Sequence, residues 1–374
     1  MNKEIRLSAD GKLRILQITD LHEHYDEEKW GKISEAMVRA LIRSENPDLL
    51  VFTGDISSLD RIDKVMRIPE ELGVPTAITL GNREPAYEQR REYLDICRSY
   101  SCCINPEPTL PDSRCATFFL PVLNAEGTKT VYGLWFCDTA PDAEPDGGEY
   151  VTPEQIEWFK TEHAKQKALN NGEPLPSLWF YHIVFPEVYD ALIEVKPGTP
   201  RGMPCFYDKS RRFIPDAKTL RGGELNEMPW SFLQNYGMFD TMVEAGGVKA
   251  CFSGHDHDNT FVIRHKGVDI VNSPKGCYRG VFNAFHGGRR ITVDLKHPDT
   301  YSSEIVTFSS LYDKENFDKN KDILLSDNKT VRLVRFCKVR RQIEDVVTAY
   351  IPEFFKKVFG YKKVQGERLW KVKE

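Results

Sequence analysis

Five short apolar segments of this chain are each followed by polar residues of the kind that bind metal ions. These segments are 13–19 before Asp20 and His22, 48–53 before Asp55, 76–80 before Asn82, 177–181 before His182, and 250–253 before His255 and His257. Apolar runs of this length are typical of buried strands. Apolar residues at helical spacing (Ile33, Met37 and Leu41) follow the first segment, and this alternation predicts βαβ units with parallel strands.

The carboxyl ends of parallel strands meet at one edge of a sheet, and ligand sites in such folds lie outside that edge. A single aspartate after a strand is more often a turn or helix-cap residue. A single pair of histidines near a turn is likewise more often an ordinary surface feature. Five strand ends that bear only oxygen and nitrogen donors are a stronger signal, and we expect these seven side chains to meet in one site.

The composition is typical of a water-soluble globular protein, since 40% of the 374 residues are hydrophobic and 29% are charged. The formal net charge of −5 gives no overall case for nucleic acid or an anionic membrane as a partner. The sequence after Met1 has no apolar signal core, and no window is apolar enough for a membrane span. Nine cysteines, an odd number without paired spacing, indicate reduced thiols. We therefore expect a cytoplasmic protein.

The remaining apolar segments predict a second sheet. Residues 131–137 are expected to form the strand that opens it, and residues 268–271 and 290–295 are expected to form strands that complete it. Between these segments, Thr152 followed by Pro153 and Glu154 predicts the start of a helix, because threonine caps and proline fits the first turn.

Two further parts of the chain carry cationic side chains that can approach the strand ends. The insert 195–230 lacks periodicity and is expected to be irregular, and inserts of that kind are usually functional or disordered. It can be a solvated loop, or it can wall a cleft in which an anion meets Arg201, Lys209, Arg211, Arg212 or Arg221. In the glycine-rich segment after residue 271, Lys275, Tyr278 and Arg279 can also approach the site.

The donor set suits a pair of divalent cations that share a carboxylate, as in two-metal hydrolytic sites. Asp55 is the expected bridge, with Asp20, His22 and His257 completing one metal site. Asn82, His182 and His255 are expected to complete the other. Mixed oxygen and imidazole ligands favour Mn, Fe or Zn. Such a pair polarises a phosphoryl oxygen and lowers the pKa of a bridging water.

Taken together, these blocks resemble the five-block signature of the calcineurin-like metallophosphoesterases. The blocks are Asp20-x-His22, Gly54-Asp55, Gly81-Asn82-x-Glu84, His182, and Gly254-His255-x-His257. The resemblance spans residues 13–295, and three finer features are similar to the branch related to purple acid phosphatases that includes cytosolic members: 152–158, 254–259 and Arg289-Arg290. It implies an α/β fold of two mixed β-sheets packed as a sandwich and flanked by helices. It also implies hydrolysis of a phosphomonoester, phosphodiester or phosphoanhydride by in-line attack of a metal-bridging hydroxide.

The sequence departs from this pattern at two positions. Ser58 stands where purple enzymes have a tyrosine ligand, so we expect neither a purple colour nor dependence on a ferric ion. Arg83 stands where the family usually has histidine, and arginine cannot act as a general acid. It can instead clamp a phosphate oxygen, which suits leaving groups that need little protonation. Active UDP-diacylglucosamine hydrolases of the superfamily also have Asn-Arg here. His24 is a candidate acid, with an exposed loop histidine as the alternative.

We expect one metallophosphoesterase domain over residues 1–312. Because the composition then becomes charged, residues 313–374 are expected to form an extension with an amphipathic helix near 346–359. The expected substrate is a phosphorylated small molecule or another phosphoester, and the oligomeric state stays open. Two alternatives remain. The first is a weakly active or inactive scaffold that binds a partner through the cleft or the basic tail, a reading that Arg83 favours. The second is a nuclease, against which the acidic net charge argues.

Overall fold

The computed structural model describes residues 4–22, 28–85, 87–139, 150–199, 202–206, 208–231, 233–277, 286–308 and 310–312. Three strands of the first sheet, β2 (Lys12–Ile18), β3 (Leu49–Thr53) and β4 (Thr76–Thr79), pair in parallel in the order β2-β3-β4. They are connected by the helices α1 (Glu28–Glu45) and α2 (Ile62–Leu72), and α3 (Tyr87–Ser99) follows β4. The predicted βαβ arrangement is therefore confirmed.

Two antiparallel strands, β15 (Gly287–Asp294) and β16 (Ser302–Thr307), extend this sheet beside β2, so that its order is β16-β15-β2-β3-β4. The prediction that residues 290–295 complete a second sheet is wrong. Alternating apolar residues such as Ile291 and Val293 identify a strand that buries one face. They do not identify its partner, which here is β2 across a long stretch of chain.

The second sheet has eight strands in the order β1-β5-β6-β7-β12-β14-β13-β11. The parallel strands at its centre are β6 (Thr130–Phe136), β7 (Ser177–Phe180), β12 (Val248–Ser253) and β14 (Val268–Asn272). The outer strands are β1 (Ile5–Arg6), β5 (Phe118–Leu123), β11 (Leu220–Gly222) and β13 (Val262–His265). The sheet thus begins with β1 and β5, earlier in the chain than the predicted first strand at 131–137.

The two sheets pack face to face, and helices cover both outer faces. Between the sheets, Ile15 and Val51 of the first meet Leu134 and Phe252 of the second in a fully buried core. A row of stacked rings crosses the second sheet, with centroid separations of 4.4 Å for Phe118–Phe136, 5.3 Å for Phe136–Phe180 and 5.4 Å for Phe180–Phe252. The predicted sandwich of two mixed sheets flanked by helices is confirmed, because strands that alternate in burial present one apolar face to each neighbouring layer.

The helix α4 (Pro153–Leu169) covers the outer face of the second sheet together with α5 (Met238–Ala245). It begins as predicted: Thr152 accepts a hydrogen bond from the backbone N–H of Gln155, and the Gln155 side chain accepts one from the backbone N–H of Thr152. This reciprocal arrangement is a capping box.

The insert is more regular than its composition predicts. The strands β8 (Leu192–Val195), β9 (Met203–Pro204) and β10 (Arg212–Pro215) form a small third sheet in the order β8-β10-β9, and β11 joins the eight-stranded sheet. Strands of two to four residues carry too few side chains to show alternation, so only their pairing identifies them. None of the described helices is both long enough and apolar enough to cross a membrane.

Candidate metal centre

The carboxyl ends of strands from both sheets meet at one edge of the sandwich. Backbone hydrogen bonds join these ends, since Asp20 N–H donates to the carbonyl of Gly54 at 3.0 Å and His22 N–H donates to that of Asp55 at 2.9 Å. In the other sheet, Gly254 N–H donates to the carbonyl of His182 at 3.0 Å. The buried side chain of Gln17 connects the sheets, because its amide donates to Thr53 on β3 and to the carbonyl of Ser253 on β12.

Four of the predicted ligand residues have left-handed backbone conformations. The φ angles are 54° at Asp20, 49° at His22, 53° at Asp55 and 67° at His255. Residues other than glycine rarely adopt this conformation, and it is concentrated at functional sites, where the surrounding structure holds it. Each of these residues turns the chain sharply at a strand end, which directs its side chain back over the edge of the sheet.

The first group of donors consists of Asp20, His22 and His257, whose ligand atoms lie within 4.8 Å of one another. Nε2 of His22 and Nε2 of His257 are 2.9 Å apart. Asp20 Oδ1 lies 3.4 Å from the His257 nitrogen and 3.6 Å from the His22 nitrogen. Three donors that converge on one point in this way could hold a single cation.

The second group consists of Asp55, His182 and His255. Nε2 of His182 lies 3.3 Å from Asp55 Oδ1 and 3.3 Å from Nδ1 of His255. The amide oxygen of Asn82 also lies close, 3.1 Å from the same His182 nitrogen. This group therefore offers one carboxylate, one amide oxygen and two imidazoles, all of them largely buried.

The two oxygens of Asp55 face different groups. Oδ1 faces His182 of the second group, while Oδ2 lies 3.9 Å from Nε2 of His22 in the first group. A carboxylate between two groups of donors is the arrangement that can bridge paired cations. All seven predicted side chains thus come together at this edge, and their role as metal ligands stays a prediction.

The hydrogen bonds around His182 determine which ring nitrogen faces the site. Its Nδ1 lies 2.7 Å from the carbonyl oxygen of Thr53 and donates a proton to it, which leaves Nε2 directed at Asp55. Burial lowers the pKa of His182, but the carboxylates of Asp55 and Asp20 oppose this effect and raise it to about 10. Burial raises the pKa of Asp55, yet the charge of His182 outweighs it and the pKa lies below its ordinary value. Both shifts indicate a buried site that stabilises added positive charge.

The residues present fit divalent cations on two further observations. Asp20 is fully buried, and its Oδ1 has no hydrogen-bond partner among the described residues, whereas Oδ2 accepts from Thr19 Oγ1 and from His255 N–H. A buried carboxylate oxygen that accepts no hydrogen bond is stabilised when a cation approaches it. The donor set of carboxylate, amide and imidazole groups also matches first-row divalent metals.

Glu84 holds the ends of β3 and β4 in register, a role that the sequence did not predict. Its buried carboxylate accepts hydrogen bonds from the backbone N–H groups of Asp55 at 3.0 Å, Ile56 at 2.6 Å and Gly81 at 2.6 Å. Burial, and then the charge of Asp55, raises the pKa of Glu84 to about 7, while the N–H of Ile56 opposes the shift. The only sequence signal for this role is the glutamate of the Gly-Asn-x-Glu block.

Gly81 allows a close approach that this arrangement requires. A Cβ at Gly81 would lie 2.4 Å from Asp55 Oδ1 and 2.8 Å from Cδ2 of His182. Any side chain here would displace the carboxylate between the two groups. The glycine of this block therefore serves packing against the site.

A cleft of about 440 Å³ opens over the two groups of donors. The insert forms part of its wall, but through Glu227 and Trp230, and the described cations Lys209, Arg211, Arg212 and Arg221 do not line it. Arg211 instead pairs with Glu194 at 2.8 Å. The other lining residues outside the donor groups are Arg83, Asp256, Lys275 and Cys277.

Both positions at which the sequence departs from the family pattern, Arg83 and Ser58, lie in the described part of the chain. Arg83 is exposed at the cleft, and its backbone N–H donates to Asp55 Oδ1 at 2.8 Å. Ser58 donates to Asp60 at 2.6 Å in an exposed turn and does not line the cleft. The predictions for His24, Arg201, Tyr278, Arg279 and the extension 313–374 concern residues outside the described part of the chain.

Paired sheets whose strand ends collect aspartate, asparagine and histidine define a metal-dependent type of phosphoesterase, and comparison with known proteins specifies the family. The model of the calcineurin-like phosphoesterase family matches residues 13–259, well over half of the chain and all seven donors. The chain therefore belongs to the calcineurin-like phosphoesterase family.

Similar proteins of the plant Arabidopsis thaliana bear names from the purple acid phosphatases. The chain is 26% identical to "Probable inactive purple acid phosphatase 14", with 78% of this chain and 77% of the relative covered. It is 24% identical to "Probable inactive purple acid phosphatase 29", with 75% and 74% covered. Among solved structures, a dimetal phosphatase from Danio rerio is 10% identical, with 79% of this chain and 99% of that chain covered and a TM-score of 0.48. A purple acid phosphatase from yellow lupin seeds is 10% identical, with 82% and 55% covered and a TM-score of 0.43.

Proposed function

We propose that this protein is a dinuclear metal-dependent phosphoesterase. The observation that carries the proposal is the position of Asp55, whose two oxygens face two separate groups of buried donors. In this proposal Asp20, His22 and His257 hold one divalent cation, and Asn82, His182 and His255 hold the other. Mn, Fe and Zn are the metals that this mixture of donors favours.

The bound cations supply Lewis acidity for a phosphoryl oxygen and lower the pKa of water at the site. The chain itself orients these groups. Thr53 fixes the ring of His182 through its carbonyl, Glu84 fixes the ends of β3 and β4, and Asp20 is held by Thr19 and by the N–H of His255. Such fixed donors require little reorganisation during the reaction, which is the basis of electrostatic catalysis.

Arg83 acts in this proposal as a clamp for the phosphoryl group. Its backbone is bonded to Asp55, so its side chain starts beside the second donor group and lines the cleft. A guanidinium donates two parallel hydrogen bonds to phosphate oxygens and keeps its proton. The preferred substrates are therefore esters or anhydrides whose leaving group departs without protonation.

The direct test combines metal analysis with a substrate panel. Purified protein is expected to contain about two divalent metal ions per chain and to hydrolyse phosphomonoesters, phosphodiesters or phosphoanhydrides when supplied with Mn²⁺. The finding of neither metal nor turnover across the panel would contradict the proposal.

The second candidate is a protein that keeps the metals but catalyses weakly and serves as a scaffold. Two observations favour it: the plant relatives are named as probable inactive phosphatases, and Arg83 occupies the usual histidine position. Asn82→Ala separates the two candidates. Hydrolysis collapses in this variant if the protein is an enzyme, whereas binding of a partner survives if it is a scaffold.

A further inference from the structure

The segment that follows β14 is fastened across the same strand ends. Ser273 N–H donates to the carbonyl of Ser253 at 3.0 Å, and Lys275 N–H donates to that of His257 at 3.2 Å. Gly276 N–H then donates to the carbonyl of Thr19 at 2.7 Å. These three bonds reach the ends of β12 and β2, so the backbone at Lys275 is fixed relative to the donor groups.

Gly276 allows this segment to lie close against β2. A Cβ at this position would be 2.6 Å from Cγ2 of Ile18, which is fully buried. The carbonyl of Lys275 also accepts a hydrogen bond from Gly287 N–H at 3.2 Å, which connects the segment to β15. The side chain of Lys275 therefore starts from a position that neighbouring elements determine on both sides.

Lys275 is buried and has no counter-ion among the described residues. Its exposed fraction is 8%, it lines the cleft, and its ammonium makes neither an ion pair nor a hydrogen bond within the described chain. By contrast, Lys249 pairs with Asp299 at 2.6 Å and Lys266 pairs with Asp240 at 2.7 Å. The Lys275 ammonium is thus a cation at the cleft that an entering anion can reach.

The two acidic residues of the cleft wall outside the donor groups accept hydrogen bonds from backbone N–H groups. Glu227 accepts a hydrogen bond from the N–H of Asp258 at 2.8 Å, and Asp256 accepts one from the N–H of Trp230 at 3.1 Å. Asp20 and Asp55 belong to the donor groups. None of the described carboxylates is recorded as an ion-pair partner of Lys275, so an anion that enters the cleft can serve as its partner.

The two cationic residues of the cleft lie beside different donor groups. Arg83 is bonded to Asp55 of the second group, and Lys275 is bonded through its backbone to His257 of the first. We propose that Lys275 binds a second anionic group of the substrate, so that the cleft selects compounds with adjacent phosphates, the phosphoanhydrides, over simple monoesters. This inference rests on the proposed function, because it places the reacting phosphoryl group over the donor groups and the second phosphate at Lys275.

The test compares two inert ligands on the metal-loaded protein. Imidodiphosphate carries two adjacent phosphoryl groups that are not hydrolysed, and orthophosphate carries one. Isothermal titration is expected to show that the unmodified protein binds imidodiphosphate about tenfold or more tightly than orthophosphate.

Lys275→Met is expected to abolish that preference while orthophosphate still binds. Lys275→Arg keeps the charge and is expected to keep most of the preference. Lys160→Met, an exposed lysine of α4 that does not line the cleft, is the matched control and is expected to change neither ligand.

Three results would overturn the inference: equal affinity for the two ligands in the unmodified protein, a preference that survives in Lys275→Met, or an equal loss of both ligands in that variant. Retained orthophosphate binding shows that Lys275→Met folds. If that variant does not fold, Lys275→Arg tests whether a positive charge at this position maintains the preference. Metal content is measured separately on the same samples. An unmodified protein without metal contradicts the proposed function, whereas a metal-containing protein with no ligand preference contradicts this inference alone.

Discussion

At the scale of single residues, Asp55 connects the two donor groups of the site. Its carboxylate faces both donor groups, its backbone N–H is bonded to Glu84, and its Oδ1 accepts the N–H of Arg83. It also occupies a left-handed backbone conformation with φ of 53°. Changes at this residue therefore affect the charge of the site and its geometry together.

Asp55→Asn tests the bridging role while preserving the shape of the side chain. The amide removes one negative charge and one oxygen donor, so we expect the metal content to fall from about two ions per chain to one or fewer. Inductively coupled plasma mass spectrometry measures this change. Asp60→Asn, in the exposed turn nearby, is the control and should leave the metal content unchanged. Two ions retained in Asp55→Asn would exclude an essential bridge.

Arg83 can be tested by varying the leaving group. Arg83→Ala is expected to lower kcat/KM about tenfold to a hundredfold for aryl phosphates and phosphoanhydrides, since it removes donors to the phosphoryl group. Arg83→His should lose the clamp as well, yet gain relative activity on alkyl monoesters, whose leaving group needs a proton. Steady-state kinetics over both substrate types measures the effect, with the exposed Arg67→Ala of α2 as control. A uniform loss in both variants, whatever the leaving group, would mean that Arg83 does not determine substrate preference.

The sequence identifies the ligand-type residues that come just after a strand. Asp20, Asn82 and His182 each come directly after an apolar run, so their convergence followed from the topology of parallel strands. Trp230 and Glu227 come from the insert, and nothing in its composition indicated which of its side chains would reach the cleft. Glu84 was visible in its block, but its three hydrogen bonds depend on the distance between two strand ends, which only the folded chain determines.

At the scale of elements, Glu84 connects the ends of β3 and β4. Glu84→Gln replaces one accepting oxygen by an NH₂ group that faces backbone donors, which leaves at least one buried N–H unpaired. We expect a loss of about 1–3 kcal/mol in the free energy of unfolding. A lower urea midpoint measures it, and Glu92→Gln on the exposed face of α3 is the matched control. An unchanged midpoint would show that these strand ends hold their register without the carboxylate.

The start of α4 provides a second test at this scale. Thr152→Ala removes the side-chain half of the capping box and is expected to cost about 1 kcal/mol. Thr161, on the same helix, donates only to the carbonyl of Glu157 at 2.9 Å and is exposed. Thr161→Ala should therefore be neutral or slightly stabilising. Equal destabilisation of the two variants in urea unfolding would argue against a stabilising cap.

The sequence predicts the positions of strands better than it predicts which strands pair. The period of apolar residues identified β15, but its pairing with β2 joins residues far apart in sequence, and a pattern on one strand contains no information about the other. The small sheet of β8, β10 and β9 is held by pairings of two to four residues, such as Phe213 opposite Glu194 and Met203. Strands of that length are too short for a repeating pattern of apolar residues to be recognised.

At the scale of the whole molecule, the donors are divided between the two sheets. Asp20, Asp55 and Asn82 follow strands of the five-stranded sheet, whereas His182 and His255 follow strands of the eight-stranded sheet. Cations held by both sheets would bind only the folded chain and stabilise it. We therefore expect EDTA to lower the midpoint of thermal unfolding and Mn²⁺ to restore it. Calorimetry with and without the chelator measures the shift, and zinc-saturated EDTA, which has no capacity left for these metals, is the control. A midpoint that is indifferent to chelation would mean that no tightly bound cation connects the sheets.

The row of phenylalanine rings between the sheets bears on chemistry that takes place at the edge. Phe252 lies directly before Ser253 at the end of β12, and Phe180 holds the equivalent place on β7, ahead of His182. The thickness of this aromatic layer determines how far the strand ends of one sheet, with their donor side chains, stand from those of the other. The interior of the protein thus acts as a spacer for this edge, and we expect a change of ring size in the core to shift the donors of one sheet relative to those of the other.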